Sequence, residues 1–132
     1  MLMGKILEFN CQIYPLSLWV SIEPSIEELK KRFLVMDDDD ESKFNAFTDK
    51  TIKPYWAACR ITVKDIKTGH IGCLVAIIYP KSTTAGQIAH EASHAYDDFA
   101  MLLGLPYSGE TRSYLTEWFV DTVYNVFTGK KI

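Results

Sequence analysis

The sequence predicts an α+β fold: a small, mostly antiparallel sheet packed on a helix and followed by a C-terminal helix. Three observations carry this. β-forming, alternating segments fill much of the chain before Thr84, helical periodicity of the apolar residues takes over after it, and glycine, proline or acidic residues punctuate the changes. At 132 residues the chain reads as one domain, 1–132, long enough to bury a core.

Residues 5–13 and 17–22 read as two strands, broken by Ile13-Tyr14-Pro15-Leu16. Pro24-Ser25 opens a short helix from Ile26 to Phe33, with Ser25 as N-cap, Glu28 completing a capping box, and Ile26, Leu29 and Phe33 apolar. Asp37 to Glu41 are consecutive acids, which repel one another and mark a solvated loop; the alternating spacing and glycine of a calcium loop are missing. Residues 44–55 are irregular, with Pro54 as punctuation.

Residues 56–65 and 71–79 form the clearest hairpin, turning at Asp65-Ile66-Lys67-Thr68-Gly69. Arg60, Thr62 and Lys64 share one face of its first arm, and Cys59, Ile61 and Val63 the other. The second arm is continuously apolar, which predicts a central strand covered on both faces. His70, at the end of the turn, reads as solvent-exposed.

Residues 84–103 form one helix, entered near Thr83 or Thr84 and stopped by Gly104 and Pro106. Ile88, Ala92, Ala95, Phe99, Leu102 and Leu103 make its apolar stripe. His90, His94 and Met101 fall opposite, flanked by Asp97 and Asp98. Residues 110–127 form a second long helix, with Ser108 as N-cap and Glu110 near the positive end of the helix dipole. Leu115, Phe119, Val123 and Val126 are its apolar side, widened by Trp118 and Phe127, and Glu110, Tyr114, Glu117 and Asp121 form the opposite polar stripe. With the sheet against the apolar stripe of the first helix, its histidine face is expected to look towards the last helix and a cleft.

Composition excludes several classes. A net charge of −3 with no basic run gives no case for nucleic-acid binding. The longest apolar run, around Ile71 to Tyr79, is too short to span a membrane. Lys5, Glu8 and Asn10 interrupt the N-terminal apolar character, so no signal peptide is expected. The three cysteines, Cys11, Cys59 and Cys73, lie in strand-like segments without a framework spacing and read as reduced core thiols. A cytoplasmic protein is the expectation.

The chemistry concentrates in His90-Glu91-Ala92-Ser93-His94, an HExxH motif on a helix. Imidazoles four apart project from one face, where both can reach one metal ion, and Glu91 beside them is suited to take a proton from a bound water. A paired histidine is ordinarily a core residue, but here the apolar stripe points away from both. A catalytic zinc keeps three protein ligands and one water. Glu110 and Glu117 share a face of the last helix. Simple antiparallel packing favours Glu117, a steep crossing would allow Glu110, and Asp98, one turn beyond His94, is a third candidate better suited to orienting a histidine.

The HExxH helix, the glycine at its end and the segment Glu110-Thr111-Arg112-Ser113-Tyr114-Leu115 resemble the gluzincin branch of zinc metallopeptidases. More closely, they resemble short HExxH-bearing proteins of bacteriophages and prophage-like mobile elements, over residues 84–120 and faintly at Gly4-Lys5-Ile6, Ile13-Tyr14-Pro15 and Lys67-Thr68-Gly69. The resemblance implies a minimal zincin-like domain and a zinc-dependent metallohydrolase, a peptidase acting on a peptide or protein. Matched residue by residue, it selects Glu110 to join His90 and His94 on Zn2+, with Glu91 as general base. A tyrosine hydroxyl, Tyr114 or Tyr107, would assist the oxyanion, against an ordinary packing role for either. The alternative is a non-catalytic zincin-fold metal-binding or protein-interaction factor of a phage or mobile element.

Overall fold

A computed structural model describes residues 4–11 and 14–129. In chain order these form strands β1 (Ile6–Asn10) and β2 (Ser17–Ile22), helix α1 (Ile26–Arg32), strands β3 (Phe33–Met36), β4 (Phe44–Ala46), β5 (Ala58–Asp65) and β6 (Ile71–Ile77), and helices α2 (Ala85–Leu103) and α3 (Glu110–Thr128). The strands make one mixed sheet in the order β1-β2-β6-β5-β3-β4. β2 and β6 run parallel, with Ser17 opposite Gly72, and the other neighbours are antiparallel. The α+β class and the mostly antiparallel sheet are as expected.

The sheet separates two cores. On one face, Leu18, Val20, Cys73, Val75 and Ile77 meet Ile88, Ala92, Ala95 and Phe99 of α2 and Leu115, Phe119, Val123 and Val126 of α3. On the other, Trp19, Leu74, Ala76, Cys59, Ile61 and Val63 pack on Leu29 of α1, Phe33 of β3, and Phe47 and Ile52 from the segment that follows β4. Strand β6, buried on both faces beyond Ile71, is the central strand that its unbroken apolar run implied. Each fully buried Phe, Leu or Ile in these layers contributes about 1.5–3 kcal/mol relative to exposure.

Local chemistry sets the element ends. Thr84 and Gln87 form a reciprocal capping box at the start of α2, and Gly104, at φ 69°, closes it in the left-handed conformation. At α1, Ser25 Oγ accepts from the Glu28 amide as expected. At α3 the N-cap is Gly109, with φ 88°, and not Ser108.

Two strands went unforeseen. Phe33 was expected to end the first helix but is extended, pairs with Asp65 and buries its ring edge-on against Trp19, with centroids 5.0 Å apart. Sheet pairing and burial outweigh one more helical residue. The acidic loop joins β3 to β4, and its acids shape the turn: Asp37 accepts from the Asp39 amide and Asn45 Nδ2, and Asp40 from Ser42. The break expected at Ile13 lies partly outside the described residues, as does the end expected for the first strand. Among the described residues no helix is long and apolar enough to cross a membrane. Cys11, Cys59 and Cys73 are free and buried, and His70 is exposed.

Candidate functional site

Helix α2 presents three flanks. Its apolar stripe lies on the sheet. A second flank meets α3, where the Arg112 guanidinium donates to Asp97 Oδ1 at 2.6 Å and Ser93 Oγ at 2.8 Å and stacks 5.1 Å from the Tyr96 ring centroid. The Tyr96 hydroxyl donates to the Pro106 carbonyl and ties the helix to the connection that follows it. The third flank carries Gln87, His90, Glu91 and His94. It lines a cleft of about 470 Å³ whose far wall is Tyr55 to Arg60, the segment entering β5. The histidine face therefore looks towards the start of β5 and not towards the last helix. The Arg112 contacts explain the difference, because they dock α3 one flank further round.

The His90 and His94 rings lie edge to face, 4.6 Å between centroids, with their Nε2 atoms 3.2 Å apart. Two imidazoles on one tetrahedral zinc, with bonds of ~2.0–2.1 Å, have nitrogens roughly 3.3 Å apart, so the pair already has the spacing of a shared metal. The same distance also admits a direct hydrogen bond in one tautomer.

Glu91 is half-buried beside them. Burial raises its carboxyl above the ordinary range, the charges of His90, His94 and Arg60 pull the other way, and Asp98 adds to the rise. Asp98, one turn beyond His94, is also raised chiefly by burial, opposed by Arg60, Thr62 and His94. Arg60 Nε lies 3.4 Å from Asp98 Oδ2, so the polar face of β5 meets the acidic edge of α2. The Cys59 thiol is pushed up to about 12, by burial first and by the Glu91 charge second, and is inert as a nucleophile near neutrality.

Glu110 and Tyr114 are not brought to this cleft. They lie with Asn10, Cys11, Tyr14 and Trp118 around a separate cavity. The cause is helical phase: Arg112 points at α2, and Glu110, two residues earlier, is turned roughly 160° from it. Glu117 and Asp121 share the exposed stripe of Glu110 and Tyr114, and Tyr107 is exposed on the connection. Among the described residues no three His, Cys, Asp or Glu side chains are grouped as a metal would require. Arg60, Tyr55 and Trp56 are cleft residues that sequence reading did not single out. The alternation of β5 placed Arg60 on a polar face but carried no sign that α2 would cover it.

Searches against protein-family models, curated proteins and solved structures give no match to this chain.

Proposed function

We propose that the chain is a zinc-dependent hydrolase of zincin type, acting on a peptide or protein, with Glu91 as the general base and His90 and His94 as two of the metal's ligands, no third protein ligand being grouped with them among the described residues. The observation that carries this reading is the 3.2 Å separation of the two Nε2 atoms in the cleft that also holds Glu91. Bound there, zinc would supply the Lewis acidity that brings a water's pKa towards neutral. The chain's own residues supply the rest. Glu91, half-buried beside both histidines in the cleft, is placed to act as the general base. Arg60, anchored on Asp98, places a cation on the cleft wall, and Tyr55 and Trp56 give that wall an aromatic surface for a substrate side chain. Glu110 and Tyr114, facing another cavity, have no part in this proposal. The resemblance to phage and mobile-element HExxH proteins supports the part of this site on α2 and departs from it at Glu110.

The test is Glu91→Gln assayed on a quenched-fluorescence peptide library with zinc present. The proposal expects zinc binding to persist and hydrolysis to vanish; undiminished hydrolysis would end it. Because the same spacing also fits a direct hydrogen bond between the imidazoles, a second reading stands beside it, a non-catalytic zincin-fold metal-binding or protein-interaction factor of a phage or mobile element. That reading expects no hydrolysis in the unaltered chain.

A further inference from the structure

On the opposite flank of α3, Glu110, Tyr114 and Trp118 recur every fourth residue, so a carboxylate, a phenol and an indole stand on successive turns roughly 6 Å apart. They face Tyr14 across a cavity of about 550 Å³, within the usual size of small-ligand sites. Tyr14 and Trp118 are half-buried, whereas Tyr114 is 68% exposed, a large ring held on the surface at the cavity mouth. Leu115 adds apolar surface, and Glu110 is the charged group of the lining, with no Lys or Arg among the described residues that form it. The Asn10 side-chain carbonyl already accepts from Ser17 Oγ at 3.2 Å.

We propose that this cavity binds a small organic cation of the alkylated ammonium class. Aromatic faces and a carboxylate both attract positive charge. The ring-rich walls suit methyl groups better than a primary ammonium, whose three N–H donors each need an acceptor. Among the described lining residues a metal ion finds one carboxylate and the buried Cys11 thiol but no imidazole, and an anion finds no cation. The proposal is independent of the zinc reading, since it uses none of the cleft residues.

The test compares choline with its uncharged isostere 3,3-dimethylbutan-1-ol by two-dimensional amide NMR titration of the full chain at constant ionic strength. Choline is expected to shift the amides of Thr111, Tyr114 and Leu115 and to bind about fivefold or more tighter than the alcohol, the size of one or two cation–π contacts. Glu110→Gln and Tyr114→Ala should each weaken choline about threefold or more, while Glu110→Gln leaves the alcohol unchanged. His90→Ala should leave choline binding as it was. Equal affinity for the two probes would overturn the proposal, as would choline binding untouched by both substitutions or the absence of shifts at tens of millimolar choline. The same spectra report whether each variant is folded.

Discussion

Gly72→Ala tests how the sheet carries the site. Gly72 sits on central strand β6 opposite Ser17 of β2, in the parallel pair of the sheet. A Cβ there would lie 1.9 Å from the Ser17 carbonyl oxygen, 2.8 Å from its carbon and 2.9 Å from its nitrogen. These are backbone atoms, so no rotamer relieves the clash, and the strands must part by on the order of 1.5 Å to regain ordinary contact. Overpacking of this kind costs about 1–3 kcal/mol, and each ladder hydrogen bond lost with it about 1 kcal/mol. A loss of about 3–5 kcal/mol follows, a large part of a typical domain's stability. Urea unfolding followed by tryptophan fluorescence should show a midpoint lowered by roughly 2 M for an m-value near 2 kcal/mol/M. Gly86→Ala is the control: its Cβ would meet only Thr84 Oγ1 at 3.7 Å on a helical backbone, so a gain of up to ~0.5 kcal/mol is expected. A Gly72→Ala midpoint within about 0.3 M of the parent would refute the reasoning.

Other outcomes follow from the cleft and the core. Because burial raises the Glu91 carboxyl, the folded chain holds a proton where the unfolded chain has lost it, and stability falls as pH rises from about 4.3 through the raised value. Glu91→Gln should therefore shrink the fall in metal-free urea midpoints over this window, and an unchanged pH slope would contradict it. Arg60→Ala leaves Asp98, whose side chain is 15% exposed, without its counter-charge. The expected loss is about 1–2 kcal/mol near pH 8, discounted because Arg60 is itself one-third exposed, and it should diminish as the pH is lowered into the raised range where Asp98 takes up a proton; a loss that does not change with pH would count against it. Cys59 and Cys73 should resist an aromatic disulfide reagent until the chain unfolds, and their rapid modification in the native protein would contradict the packing described.

Much of this architecture was legible because it rests on local periodicity. The stripe from Ile88 to Phe99, the alternation of Cys59, Ile61 and Val63, and the unbroken run of β6 each report burial directly. Strands β3 and β4 escaped because they are short and joined by five acids, whose turn-forming hydrogen bonds are invisible to hydropathy. At the site, the motif placed His90, Glu91 and His94 on one cleft. The partner wall depended on which flank of α2 receives α3, and that is decided by long-range contacts of Arg112 with Asp97 and Ser93. Pattern alone points to Glu110, whereas its helical phase relative to Arg112 turns it away from the histidines.

The most direct test of the central claim is a zinc titration of the chelator-treated chain against a chromogenic competitor, with His90→Ala, His94→Ala and Glu110→Gln in parallel. The account expects one zinc per chain in the parent, lost in both histidine variants and kept in Glu110→Gln. Failure of the parent to bind at saturating zinc, or binding indifferent to both histidines, would contradict it; loss of zinc in Glu110→Gln would contradict the placement of that residue outside the site.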